Sequence, residues 1–403
     1  MKNPRTFMVS IFAILLAFAF SAGCGGGGGG SSTPPNTIVP PGNNVAPISV
    51  DGGPLGDYAD AAFISVTVCV PGTSTCQTVD NILVDTGSSG LRILSSALTV
   101  ALPQQNAAGG NPVFECFPFD SGYTWGPVQT ADVKIAGETA SSTPIEAVGT
   151  NVTVPDGCLS FDLPPSNNID ELGANGILGV GLFAPDCGSG CPTEIYYECP
   201  ASGCFGISPS VALQVTNPVS LFTTDNNGVI VELPAVSGGQ QPTLSGSLVF
   251  GIGTETNNAL GAAKVYGADP EFGEFTTSFN GTAYSGSFID SGSNGYFFLS
   301  SSVSGIAGCG GNDAGFYCPS NTANLSATNE GTNGTSGTVD FSIADASTLF
   351  SSGDNAFADL GGEISDSPPY FFDWGLPFFF GRNVYVAIQG QNAPGGTAPY
   401  WAY

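Results

Sequence analysis

Two short turns carry the residues of this chain best suited to chemistry, Asp85-Thr86-Gly87-Ser88 and Asp290-Ser291-Gly292-Ser293. Each follows an apolar run, Ile82-Leu83-Val84 in the first and Phe288-Ile289 in the second, so a buried strand delivers a carboxylate into a tight turn. The glycine lets the backbone fold back, while flanking hydroxyls and backbone N–H groups hold the carboxylate and bias its ionisation. The chain contains no histidine. Ser-His-Asp and Cys-His hydrolysis, His-ligated zinc chemistry and every imidazole base are thereby removed, and acid–base work falls to carboxylates. Two carboxylates brought close cannot both ionise, so they share one proton and titrate as a unit. One can then activate a water while the other donates, with no metal and no cofactor.

The elements that must position these turns are strands. With Gly 58 and Pro 30, helix interiors are disfavoured throughout, while an apolar content of 41% suffices for sizeable cores. Every second residue is apolar in Ile64, Val66, Val68, Val70 and again in Val384, Val386, Ile388. Short runs such as Val229-Ile230-Val231 and Leu248-Val249-Phe250 add further strands to an all-β protein. The best helix signal is Ser208-Pro209 ahead of Val211, Ala212 and Leu213, with Ser208 as N-cap. Gly308 to Thr338, rich in Gly, Asn, Thr and Ser, reads as a mobile surface insertion. The balance of 33 acidic against 6 basic residues, a net charge of −27, excludes nucleic acid as a partner.

The N-terminus addresses the chain. A basic start (Lys2, Arg5), an apolar run from Phe7 to Phe20 and then Ser21-Ala22-Gly23-Cys24 read as a signal peptide over 1–23. The end of that segment resembles a bacterial lipobox, with Ser21 where an aliphatic residue is usual. The resemblance implies lipidation of Cys24, a membrane partner through that anchor and, with Gly25 rather than Asp next, sorting to the outer membrane of the cell envelope. Residues 24–47 form a Gly/Ser/Pro tether with a reach on the order of 25–30 Å. With Cys24 set aside, ten of the eleven cysteines remain, enough for five disulfides in an exported chain. Cys69–Cys76 and Cys309–Cys318 are plausible local loops and Cys116–Cys158 a longer one. Pairing among Cys187, Cys191, Cys199 and Cys204 stays open, with a tetrathiolate zinc site as the disfavoured alternative, because the spacings lack a Cys-x-x-Cys pair.

Downstream of each Asp lies a hydrophobic-hydrophobic-Gly step, read as Ile177-Leu178-Gly179 and Phe379-Phe380-Gly381. With these steps the two turns resemble the pepsin-like aspartic proteases. Ser247-Leu248-Val249-Phe250-Gly251 looks like the start of that family's C-terminal lobe and Gly381-Arg382-Asn383-Val384-Tyr385 like its closing strand. The segments Asp85 to Arg92 and Gly122 to Gly126 are also similar to a bacterial lipoprotein family of uncharacterised function. The resemblance implies a bilobal pair of double-ψ β-barrels, an N-terminal lobe over 48–237 and a C-terminal lobe over 238–403, joined through Pro234 to Leu244. It implies that Asp85 and Asp290 form a catalytic dyad acting on a peptide or protein substrate. Thr86 and Ser291 would lock the turns to each other at Gly87 and Gly292, and Ser88 and Ser293 would bond the outer carboxylate oxygens.

A flap is implied as well, in a hairpin from about Phe117 through Gly126 to Ile135. Phe119 or Pro118 stands near the place where the family has its flap tyrosine, Tyr123 falls several residues later, and Arg92 stands where the family has tryptophan. Arg92 reads as an outward surface arginine, as the partner of a flap acid such as Asp120, or as a cation depressing the dyad. Tyr123 and Trp125 supply substrate-facing aromatic surface, or Trp125 packs in the core. The leading expectation is an exported, lipid-anchored aspartic endopeptidase. The alternative keeps the fold as an inactive surface lipoprotein that binds a peptide or envelope component, for which a cation wedged between the two acids would be the mark. Carboxylate-pair glycoside hydrolysis needs its acids further apart than a shared-proton dyad allows.

Overall fold

Strands form where alternation and β-branched residues call for them, and a computed structural model describes residues 37–364 and 369–403. The signal segment and Cys24 lie outside the described residues. Strand Ala62–Cys69 buries Ile64, Val66 and Val68 and leaves Ser65 exposed, as a half-buried strand must. It pairs with Cys76–Asp85, the strand that ends on the first Asp, and the Cys69–Cys76 disulfide clips their shared end. From there the ladder runs through Gly176–Val180, Ser89–Leu94, Glu138–Val148 and Gly122–Ile135. Thr67 to Cys69 pair back onto Lys134 to Asp132, which closes six strands into a barrel. Closure leaves this barrel no free edge, and its interior is filled by Val, Ile and Leu.

The C-terminal lobe is a seven-stranded sheet carrying the second Asp at the end of Thr282–Ile289. Its core is aromatic: Phe279, Phe298, Phe341, Phe372 and Trp374 meet ring to ring. Between the lobes, Val45–Val50 pairs with Leu244–Phe250, which continues through Gly228–Leu233 and Arg382–Ala387 to the terminal strand Tyr400–Ala402. The fold class is the all-β, bilobal one expected from sequence.

Four sequence readings change. The tether read to residue 47 gives way to strand from Val45, because Val45, Ala46 and Ile48 are buried against Leu244–Phe250. Further upstream, Val39 donates its N–H to Glu232 and accepts from the Ser247 hydroxyl. The stretch read as a mobile insertion holds the hairpin Ala323–Glu330 with Ser336–Ile343, whose Ala327, Val339 and Phe341 point into the core. Widely spaced apolar residues among Asn, Ser and Thr hid that alternation. The helix at Ser208 shrinks to one 3-10 turn over Val211–Leu213 with Ser210 before it, since so short a run cannot repay α-helix nucleation.

The fourth change concerns the crossing step of the second lobe. In the first lobe Gly179 lies opposite Asp85, as expected. In the second, Phe288 and Ile289 pair with Asp373 and Trp374, so Gly375 takes that place beside Asp290 and Phe379-Phe380-Gly381 does not. Phe378 and Phe379 instead fill the core from a 3-10 turn. The acid at Asp373 breaks the hydrophobic-hydrophobic-Gly pattern and concealed the true step. All five disulfides form, with Cys187–Cys191 and Cys199–Cys204 resolving the open cluster and leaving no thiolates for a tetrathiolate metal. Gly375→Ala should lower stability by about 2 kcal/mol in urea unfolding, because a Cβ there meets the Ser293 carbonyl oxygen at 2.6 Å. Alanine at Gly310, with open space around it, should be near neutral.

Candidate active site

Asp85 closes a strand whose last four residues are buried, Asp290 follows a strand that is buried only toward its end, and a turn comes after each. The two turns interlock by four hydrogen bonds. The Thr86 hydroxyl donates to the Ile289 carbonyl (2.9 Å) and accepts from the Ser291 N–H (2.9 Å). Reciprocally, the Ser291 hydroxyl donates to the Val84 carbonyl (2.7 Å) and accepts from the Thr86 N–H (3.1 Å). Thr86 and Ser291 are both buried, so no water competes for these bonds. The lock is the one expected for these two residues.

It brings the carboxyls together. The Gly87 N–H is shared between Asp85 Oδ1 at 2.8 Å and Asp290 Oδ1 at 3.2 Å, and the two carboxyls are within hydrogen-bonding contact. Asp85 also accepts from the Ser88 N–H (3.1 Å) and, at Oδ2, from the Ser88 hydroxyl (2.5 Å). Asp290 accepts from the Gly292 N–H (2.7 Å) and, at Oδ2, from the Ser293 hydroxyl (3.0 Å). Burial first and the charge of Asp85 second push Asp290 well above the ordinary carboxylate range. The pair therefore holds one proton between its two carboxyls and titrates as a unit. Gly87 must be glycine for this geometry, since a Cβ would stand 2.7 Å from the Asp290 carboxyl carbon, and its exposed backbone marks the opening to solvent.

The hairpin of Val113–Phe119 with Gly122–Ile135 arches above, turning at Asp120 and Ser121. Strand alternation sorts its residues. Phe117 and Phe119 share one face with Glu115, and Phe117 lies against the Arg92 guanidinium at 3.9 Å. Asp120 stands exposed at the tip with its carboxyl crowded by protein, and burial followed by Asp85's charge raises its pKa. Tyr123 and Trp125 occupy the opposite face. Both are buried with Phe114, Tyr197 and the Cys116–Cys158 disulfide, and the Trp125 indole donates to the Val152 carbonyl. The substrate-facing reading of Tyr123 and Trp125 is corrected by this parity, and the core alternative holds for Trp125.

Arg92 is neither on the surface nor paired with Asp120. It is fully buried and reaches Glu115 (2.8 Å), Asp186 (2.9 Å) and Glu146 (3.4 Å), besides donating to the Ser89 carbonyl. The Tyr196 hydroxyl lies 3.0 Å from Glu115 and 2.7 Å from Asp186. One guanidinium cannot balance three buried carboxylates. Despite its burial, Glu115 is held below its ordinary value by Arg92, whereas burial and Glu115's charge push Asp186 and Glu146 well up. Arg92 thus favours the charged form of Glu115, while burial beside that charge favours the protonated forms of Asp186 and Glu146. The network joins the flap strands to the strand leaving the Asp85 turn, in place of the tryptophan that sequence resemblance would put at Arg92. Sequence reading missed its members because Glu115, Glu146, Asp186 and Tyr196 are scattered singly along the chain.

Three further residues went unread. Tyr58, from the loop after Val45–Val50, sits near enough to the dyad that burial and then the charges of Asp290 and Asp85 push its hydroxyl up to about 12. Beside it, Asp60 crosses to the other lobe, where its carboxylate accepts the Phe357 N–H at 2.7 Å and its own N–H reaches the Asn355 carbonyl. Asp373, on the crossing strand of the second lobe, lies within hydrogen-bonding reach of Ser293 and is 3% exposed. Among the described residues, no group of acids, cysteines or histidines is arranged to hold a metal ion.

The Arg92 network makes stability depend on pH with a definite sign. An acid whose pKa is raised by folding stabilises the native state while protonated and loses that contribution as pH rises above its unfolded value. Glu146→Gln keeps the shape and can donate to Glu115 as the protonated acid does. Relative to the parent, its stability should therefore climb with pH above the ordinary value of 4.5, by about 1.4 kcal/mol per unit at most. Thermal unfolding from pH 4 to 8 measures this, and parallel curves for the two proteins would contradict the assignment.

An aspartic proteinase from Irpex lacteus, known from its crystal structure, resembles this fold with a TM-score of 0.52 over 89% of this chain and 96% of its own. The two sequences are 15% identical, so the likeness speaks for the pepsin-like architecture alone. No curated protein matches the sequence. Residues 40–403, comprising both lobes and both Asp turns, match the family described as "Protein of unknown function (DUF3443)", and the chain belongs to that family.

Proposed function

We propose that this protein is an exported, lipid-anchored aspartic endopeptidase in which Asp85 and Asp290 activate one water between them. The observation that carries the reading is the shared Gly87 N–H, which holds the two carboxyls at hydrogen-bonding contact beside an exposed stretch of backbone. With the proton on Asp290, Asp85 takes a proton from a bound water as that water attacks the scissile carbonyl. Asp290 donates its proton to the carbonyl oxygen, giving a neutral tetrahedral diol. Collapse of the diol returns a proton to the leaving amine and restores the pair. Phe119 and Asp120 on the hairpin form the lid side of the cleft. A binding-only role would be marked by a cation between the acids, and Arg92 is instead committed to Glu115, Asp186 and Glu146. Export and anchoring rest on residues 1–25, whose pattern supports lipidation at Cys24 and, through Gly25, placement at the bacterial outer membrane.

The full mature chain, oxidised and held in mild detergent, should cut a complex peptide mixture read by mass spectrometry. Asp85→Asn and Asp290→Asn should each lower the rate by roughly 100-fold or more. Cleavage should fail when pH rises far enough to strip the shared proton from Asp290. A folded parent that cuts nothing between pH 3 and 8, or variants that cut equally well, would end the peptidase reading. For the anchor, metabolic labelling with palmitate should mark the chain and be lost in Cys24→Ala.

A further inference from the structure

The wall of the cleft on the Asp290 side contains an acid where an apolar residue stands in the other lobe. In the first lobe Ile177 occupies the crossing strand two residues before Gly179, and in the second Asp373 stands two residues before Gly375. Asp373 pairs with Phe288 in a parallel ladder and with Phe297 in an antiparallel one. Directly paired residues project to the same face of a sheet, and so do residues two apart on one strand. Asp373, Phe288, Phe297 and Asp290 therefore share one face of the sheet, on which Phe288 packs beside Phe371 and Phe297 beside Phe316, while Trp374 and Ile289 turn into the core. Phe288 and Phe297 keep partial exposure. Asp373 is 3% exposed, and its Oδ1 has no hydrogen-bond partner.

A buried carboxyl with an idle oxygen is costly unless something pairs with it. Among the described residues, none does so with opposite charge. The groups that face it are Ser293, the dyad acids and Asp120 across the cleft on the flap. Of the described cations, Arg92 is bound in its own network, Arg382 packs on Phe378, and Lys134 and Lys264 are exposed. The site thus presents aromatic walls, an acid at its floor and a second acid at its rim.

We propose that Asp373, with Asp120 at the rim, selects substrates carrying a lysine or arginine side chain next to the scissile bond. The methylenes of such a side chain lie along Phe288 and Phe297, and the charged head meets the Asp373 carboxyl. Burial holds Asp373 protonated when alone, and an arriving cation releases that proton and takes its place as partner. This inference rests on the peptidase reading for its substrate class, and the two fail separately in the following test.

Octapeptides with Lys, Arg, norleucine or Glu at a central position are offered to the full chain for cleavage, and to its Asp85→Asn variant for binding by fluorescence anisotropy. Lys and Arg peptides should bind about tenfold or more tightly than the norleucine peptide. Asp373→Leu should erase that preference and keep norleucine binding. Asp373→Asn, which retains the shape and the Ser293 contact, should erase it as well, so misfolding of the leucine variant leaves the test intact. Basic preference without any cleavage would end the peptidase reading and keep this site. Cleavage without basic preference, a preference that survives both Asp373 variants, or no peptide binding at all would overturn the proposal. A change confined to the pH profile would do the same, and would make Asp373 a neighbour of the dyad only.

Discussion

The interlobe lock between Thr86 and Ser291 is the contact on which the rest of this structure turns. Two hydroxyls and two N–H groups satisfy one another and the Val84 and Ile289 carbonyls, in a place closed to water. Individually such bonds contribute about 1 kcal/mol each, yet breaking one half would leave buried donors unpaired at greater cost. The lock also fixes where the carboxyls sit, because Gly87 and Gly292 follow directly and have no side chain to keep Asp290 and Asp85 apart. Each lobe must therefore present its turn at the correct height. The barrel of the first lobe, the aromatic core of the second and the shared sheet between them achieve that.

Around the lock, the molecule handles an excess of negative charge by burial and proton sharing rather than by neutralisation with bases. Burial and the charge of Asp85 push Asp290 up, burial and the charge of Glu115 push Glu146 and Asp186 up, and burial pushes Asp373 up. A dry surrounding makes each second ionisation expensive, which is the same physics in all three places. In the first it gives a pair with one proton, suited to activating water. In the second it gives a rigid strut under the flap, with Arg92 and Phe117 stacked at its centre.

The first lobe and the second solve the same geometric problem with different residues. Seven positions after each Asp come Arg92 and Phe297, and opposite them on the crossing strands stand Ile177 and Asp373. Charge and apolar surface have changed places between the lobes. On one side the cation is sealed beneath the flap by three acids. On the other the acid shares one face of the sheet with two phenylalanines, and the asymmetry gives the two walls different tastes.

Short-range pattern was enough for the sequence to determine the two Asp turns, the strands that deliver them and three of the five disulfides, while the roles of Thr86, Ser88, Ser291 and Ser293 as bonding groups came with the family resemblance of those turns. Apart from the Cys116–Cys158 pair, 42 residues apart, each of these depends on residues within about ten positions or on a motif repeated in both lobes. Tertiary structure alone decided the rest. The burial of Arg92 depends on Glu115, Glu146 and Asp186, which arrive from three separate stretches of chain. The inward turn of Tyr123 and Trp125 depends on the parity of a hairpin whose two faces are both covered, so hydrophobicity could not tell lid from core. Gly375 and Asp373 depend on the register between strands some 85 residues apart, and register is set by which side chains fit a common core. Local sequence carries no record of that fit until the strands have met.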